Sequence, residues 1–195
     1  MATLEIMQGN TNKIQPTDEL LMLDVQKGDL GAFEALYERY NKQLFHFILR
    51  FVKERSLAED ILQETFLRLL KGKKRFRKDS RFSTYLFTIA RNLCLDTLKS
   101  WERKHVFISQ ENHIEKATDK SKGPDKILEK TEMGKVIQNE IRALPQDQRE
   151  VLILSKYSGL SYDEIARIVN NTPTAVKQKA YRAMLSLKQK LKKFG

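Results

Sequence analysis

Apolar residues recur at steps of three and four along most of this sequence, and the runs break at a few polar stretches. Phe33, Leu36, Tyr37, Tyr40, Leu44, Phe47, Ile48 and Phe51 fall on one side of a helix with a 3.6-residue period. A second helix begins near Ser56 and turns Leu57, Ile61, Leu62, Phe66, Leu69 and Leu70 inward. A third, from about Ser80 to Trp101, carries its stripe through Phe82, Leu86, Ile89, Ala90, Leu93, Cys94 and Leu98. Ahead of them, Thr17 is placed to cap a helix beginning DELLMLDVQ. No segment alternates long enough to be a half-buried strand, so the pattern predicts an all-α chain.

After Trp101 the periodicity fades through HVFISQENHIEKATDKSKGPDK, a polar stretch with one Gly-Pro that reads as a tether. Four helical segments follow, over 127–143, 145–157, 162–169 and 173–193. The expected organisation is a loose leader at 1–16, a helical domain at 17–103, a linker at 104–126 and a second helical domain at 127–195.

The last two segments carry local signals that fix their ends. Ser161 followed by Glu164 is a capping box, in which hydroxyl and carboxylate each satisfy an orphan backbone amide. Gly159 suits the end of the helix before it, and Asn170 suits a left-handed turn after the short one. Thr172-Pro173 then supplies a cap and a proline at the first helical position. Ile165, Ala166, Val169, Val176, Ala180, Ala183 and Leu187 point inward, and the small alanines allow the helices to approach closely. This is a helix-turn-helix pattern, whose second helix lies in the major groove with its N-terminal side chains at the base edges. Thr174, Lys177, Gln178, Tyr181 and Arg182 are the exposed candidates there. An ordinary helical hairpin with a solvated basic face fits the same periodicity.

Charge sharpens the choice. Lys and Arg number 36 against 25 Asp and Glu, a net charge of +11 that favours an anionic partner, nucleic acid above all. From 174 to the end there are seven basic residues and no acidic one, as a phosphate-facing surface requires. The single cysteine, Cys94, excludes an internal disulfide and fits a reducing compartment. No apolar run reaches the roughly 20 residues of a membrane span, and the N-terminal stretch lacks the apolar centre of a secretory signal. A cytoplasmic protein without membrane insertion is expected.

Two features of the N-terminal half stand out. Glu59, Asp60, Gln63 and Glu64 share one polar, acidic helix face, a candidate docking surface in so basic a chain and equally a plain solvated face. KGKKRFRKDSR, residues 71–81, carries seven basic residues, with Phe76 inside it and Phe82 and Tyr85 just beyond. Cations for the backbone and rings for stacking are the chemistry of single-stranded nucleic acid. The helix that follows sets Asn92, Asp96, Lys99 and Arg103 at steps of four, three and four. Phe82, Leu86 and Leu93 also lie on its apolar stripe, where core packing is the simpler reading. His46, His105 and His113 stand in unrelated contexts, and no Gly-rich phosphate cradle is present, so no metal, cofactor or catalytic centre is expected.

AEDILQETFLRLLKG followed by FSTYLFTIARNLCLDTLKSWERK resembles region 2 of bacterial sigma-70 family sigma factors. LPQDQREVLILSKYSGLSYDEIARIV with TAVKQKAYRAMLSLKQKL resembles their region 4. The short linker between the blocks is similar to that of the extracytoplasmic-function (ECF) group. The resemblance implies a non-enzymatic subunit that gives core RNA polymerase its promoter specificity. Glu59, Asp60, Gln63 and Glu64 would then dock on the clamp helices of the largest subunit, and region 4 would meet the flap. Lys73, Lys74, Arg75, Phe76, Arg77, Phe82 and Tyr85 would help open and hold the minus-10 element, with Asn92, Asp96 and Lys99 lining that face. Thr174, Lys177, Gln178, Tyr181 and Arg182 would read the minus-35 element, and an anti-sigma factor is an expected partner. Asn170-Asn171 and Gln178-Lys179-Ala180 depart from the family's usual residues, which bears on the promoter sequence more than on the fold. The competing reading is a free-standing helix-turn-helix regulator with an N-terminal sensing domain. It leaves the acidic face and the basic loop without a role.

Overall fold

The computed structural model describes residues 16–108 and 132–192, and these form eight α-helices and one short 3-10 turn. Residues 1–15 of the leader, the stretch 109–131, which holds most of the expected linker, and residues 193–195 lie outside the described residues. Helices α1 (Asp18–Lys27), α2 (Leu30–Val52), α3 (Arg55–Lys71) and α4 (Phe82–Ile108) make the N-terminal set. Helices α5 (Glu132–Arg142), α6 (Gln146–Tyr157), α7 (Tyr162–Val169) and α8 (Pro173–Leu191) make the C-terminal set.

Each end has a chemical cause. The Thr17 hydroxyl accepts from the Leu20 amide at the start of α1, and Gly28 ends it at φ 102°, a left-handed conformation that costs glycine little. Asp29 caps α2 through the Ala32 amide. The sequence suggests that α3 begins near Ser56; it begins one residue earlier because Glu54 accepts from the amides of Ser56 and Leu57. Helix α4 continues past Trp101 to Ile108, five residues into the stretch expected as linker.

Leu36, Leu44, Phe47, Ile48 and Phe51 of α2 are buried against Ile61, Phe66 and Leu69 of α3 and Phe82, Leu86, Phe87 and Ala90 of α4. Tyr37, on the same expected stripe, stays 40% exposed at its edge, packing one face on Phe66. The two helical sets do not keep separate cores. Val151, Ile153 and Leu154 of α6 and Ile165, Ala166 and Ile168 of α7 belong to the same contiguous apolar cluster as α2 and α4. Helix α6 packs on α2, α7 and α8 at once, which explains why Glu150, Val151, Leu152, Ile153 and Leu154 are all buried. A smaller cluster of Leu144, Leu152, Ala183 and Leu187 ties α8 to the start of α6.

Candidate functional site

Three surfaces carry the candidate chemistry, and each is set by the packing beneath it. The first is the outer face of α3. Its inner residues Ala58, Ile61, Thr65, Phe66 and Leu69 are buried, with Thr65 satisfied by the Ile61 carbonyl at 2.6 Å. This leaves Glu59, Asp60 and Gln63 exposed and Glu64 half-buried. The face is less acidic than its carboxylates suggest. Arg55 pairs with Glu59 at 2.7 Å and Arg68 with Glu64 at 2.8 Å, each four residues along the helix. Asp60 has no such partner among the described residues. Leu67, 48% exposed, adds an apolar side chain one turn beyond Gln63 and Glu64.

The second surface is the basic loop, and it is pinned. Phe76 is 5% exposed and Phe82 fully buried, their rings 6.1 Å apart, with Phe82 edge-on to Tyr40 at 5.2 Å. The Gln26 side chain in α1 donates to the carbonyls of Lys73 (2.8 Å) and Phe76 (2.9 Å). Lys73 Nζ donates back to the Val25 carbonyl at 3.1 Å, and Tyr85 donates to the Gly72 carbonyl at 3.3 Å. Gly72 sits where an added Cβ would meet the Arg68 carbonyl at 3.0 Å and the Tyr85 hydroxyl at 3.2 Å. The expectation that Phe76 and Phe82 offer rings to bases is therefore corrected. Both are core side chains, because the loop folds back over α1 and α4 and its apolar residue plugs the gap. Lys73 is likewise a structural tie, not a free cation. Lys74, Arg75, Arg77 and Lys78 remain exposed, Arg77 beside Asp79 at 3.3 Å. Tyr85 is half-buried; burial raises its phenol, and Arg75 opposes the shift. Asn92, Asp96 and Lys99 are exposed along α4.

The third surface is α8. Ser161 and Glu164 form both bonds of the capping box. Asn170 takes the left-handed conformation at φ 52°, as does Gly159 at φ 60°. Thr172 caps α8 through the Ala175 amide at 3.2 Å, with Pro173 in the first turn. Val176, Ala180, Ala183 and Leu187 face inward as expected, whereas α7 buries Ile168 more fully than Val169. Thr174, Lys177, Gln178, Tyr181 and Arg182 are all exposed, Tyr181 at 67%. The unit thus presents one basic helix face with no acidic residue on it, over a turn whose backbone amides are satisfied.

The sequence reading missed the bonds that join the two sets. Arg91 of α4 and Glu150 of α6 form a forked ion pair, Nε to Oε1 and Nη2 to Oε2, the latter at 3.2 Å. Their side chains are 18% and 7% exposed. The available signal was an arginine on the apolar side of α4, between Ala90 and Cys94. Ser83 donates to Glu164 Oε1 at 3.0 Å, so one carboxylate serves both the capping box and the seam. Burial and then the Glu150 carboxylate push the Cys94 thiol up to about 12, leaving it inert.

Burial would raise the Glu164 carboxyl, but hydrogen bonds from Ser161 and Ser83 and the charge of Arg81 outweigh it, so it titrates below the ordinary glutamate range. A depressed carboxyl contributes stability above its unfolded value, and that contribution is lost as pH falls through the folded one. Acid unfolding followed by helicity should therefore lose part of its dependence below about pH 4.3 in Glu164→Gln. An unchanged acid limb would remove Glu164 from the account.

Comparison with known proteins adds the following. Residues 36–104 match the family described as Sigma-70 region 2, and residues 135–187 match Sigma-70, region 4. The chain is 30% identical over 175 residues to the RNA polymerase sigma-H factor of Pseudomonas aeruginosa, covering 87% of this chain and 91% of that one. It is 31% identical over 184 residues to the ECF RNA polymerase sigma-E factor of Escherichia coli strain K12, covering 91% and 95%. Its fold is similar to that of the sigma factor RpoE in a co-crystal structure with the anti-sigma factor NepR from Bartonella quintana. The TM-score is 0.67 at 24% identity, covering 82% of this chain and 96% of that one.

Proposed function

The chain belongs to the extracytoplasmic-function group of the sigma-70 family, the RNA polymerase sigma factors that direct initiation to promoters, and from that premise we propose how its residues divide the work. The outer face of α3 docks on the clamp helices of the polymerase's largest subunit, with Asp60 as its unpaired charge, Glu59, Gln63 and Glu64 around it, and Leu67 as an apolar neighbour. Region 4 reaches the flap. The cations Lys74, Arg75 and Arg77 hold the backbone of the opened minus-10 element, and Tyr85, Asn92, Asp96 and Lys99 contact its bases and sugars. Thr174, Lys177, Gln178, Tyr181 and Arg182 read the minus-35 element as duplex. Residues 17–103 serve the first task and 127–195 the second.

The observation that carries this reading is the coexistence of three exposed surfaces in one chain. A partly acidic helix face suited to a protein accompanies two separate basic faces suited to DNA. A regulator acting alone needs only the last of them. We assign the chain no catalytic chemistry of its own and place it in the cytoplasm, where polymerase and promoters are. An anti-sigma factor is proposed as a further partner, supported by the assembly of the Bartonella quintana relative with one.

The test is run-off transcription by purified core polymerase on candidate promoters, with and without the full chain. Stimulation is expected. Tight, specific duplex binding by the chain alone, with no stimulation, would favour the regulator. In the same assay Lys177→Ala or Arg182→Ala should weaken minus-35 dependence by about 1–3 kcal/mol if a base contact is lost. A promoter preference unchanged in both variants would argue against α8 as the reader.

A further inference from the structure

The end of α2 and the turn into α6 bring three cations to one corner. Lys53 closes α2, Arg142 ends α5, and Arg149 lies near the start of α6, which packs on α2. Arg149 is tied in place, its Nη1 donating to the Arg142 carbonyl at 3.2 Å. Lys53 lies within electrostatic reach of both. Burial and then the charges of Arg149 and Arg142 hold its ammonium below the ordinary lysine range. Among the described residues none of the three side chains forms an ion pair. The acids nearest in sequence are committed elsewhere. Glu54 caps α3 through the Ser56 and Leu57 amides, Asp147 pairs with Lys179 at 3.1 Å, and Glu150 pairs with Arg91. Lys53 and Arg142 are exposed and Arg149 half-buried, so the corner is open to a solute.

Two local costs meet at Lys53. Its backbone takes φ 67°, a left-handed conformation that glycine or asparagine usually supplies at a helix end. Its charge is then set against two others of the same sign. Ending a helix requires neither, since Gly28 ends α1 in the same conformation with no side chain at all. A strained residue that also carries an uncompensated charge points to function, and an anion bound here relieves the repulsion. The arrangement of charge narrows the anion. A duplex spreads its phosphates along a line, about one charge per 1.7 Å of axis, and calls for a stripe of cations. Three cations at a single corner, one of them a planar guanidinium already held by its own hydrogen bond, suit a compact group of phosphate oxygens. We propose that Lys53, Arg142 and Arg149 form a binding site for a compact oligophosphate, free or carried on a small molecule. The site shares no residue with the three surfaces assigned above, and it does not depend on the sigma-factor reading.

The experiment is calorimetric titration of the full chain with inorganic pyrophosphate at constant ionic strength. Binding at a single site is expected in the wild type. Lys53→Asn and Arg149→Gln should each weaken it at least about tenfold. Lys42→Gln, which removes an exposed lysine elsewhere on α2, should change it by less than about twofold. Lys53→Asn also separates binding from structure. Asparagine tolerates the left-handed backbone and carries no charge, so the variant should lose the site yet melt no lower than the wild type. A lower melting temperature would make the lysine a structural tie and overturn the proposal. No binding by the wild type, or an equal loss in Lys42→Gln, would overturn it too. The second arm titrates a short duplex that lacks promoter sequence. Duplex affinity that falls in Lys53→Asn while pyrophosphate binding holds would give the corner to the DNA backbone and overturn the compact ligand.

Discussion

Phe82→Ala is expected to lower the stability of the folded chain by about 3–5 kcal/mol and to leave DNA contacts of the folded fraction unchanged. The ring has no exposed surface, lies 5.2 Å from Tyr40 and 6.1 Å from Phe76, and opens α4 where the amide donates to Glu19 at 3.2 Å. Truncation would leave a cavity at the meeting point of α1, α2, α4 and the basic loop. The close packing of interiors does not let these elements collapse into it cheaply. Chemical denaturation of the full chain gives the stability change. A loss below about 1 kcal/mol accompanied by failure to open a promoter would return the ring to the DNA-contacting role that its sequence context suggests.

Asp60→Lys combined with Glu64→Lys should weaken core-polymerase binding at least a hundredfold, roughly 3 kcal/mol or more. Asp60 is the carboxylate on this face without an intrahelical partner, and under the proposed docking its reversal sets a cation against the surface that the aspartate would attract. At Glu64 the reversal also leaves a lysine beside Arg68, a like-charge contact that costs the helix only a few tenths of a kcal/mol. Loss of affinity on the expected scale therefore reports the interface, not a damaged α3. Duplex binding by the same double variant should stay within about twofold, since α8 lies elsewhere on the chain. Core affinity unchanged in the double variant would remove this face from the docking surface.

What could be read from the sequence was whatever is settled locally. The capping box at Ser161 and Glu164, the left-handed Asn170, and Thr172 ahead of Pro173 each depend on residues within four positions, and all take the expected form. The helical stripes of α2, α3 and α4 are likewise local, and their buried faces match the spacing of their apolar residues. The basic loop was harder. Phe76 between arginines looks like a ring offered to a ligand, and only the fold decides that the loop turns back and seats it on Phe82 and Tyr85. Glu54 is an uncommon cap, and through it α3 starts one residue before the Ser56 that the sequence suggests. The Arg91–Glu150 fork joins positions 59 residues apart, and no periodicity connects them. A charged residue on an apolar stripe asks for a partner without saying where it is.

With the basic loop holding opened promoter DNA as proposed, the grip of α1 on it has a thermodynamic consequence. Gln26 holds the carbonyls of Lys73 and Phe76, and Lys73 holds that of Val25, so the loop's backbone is ordered when the chain folds. Ordering one residue costs roughly 1–2 kcal/mol, and a segment that arrives disordered at single-stranded DNA meets that cost at the moment of binding. Here it falls on folding instead. Helix α1 touches no base in this scheme, yet it sets how much of the loop's electrostatic attraction survives as net affinity.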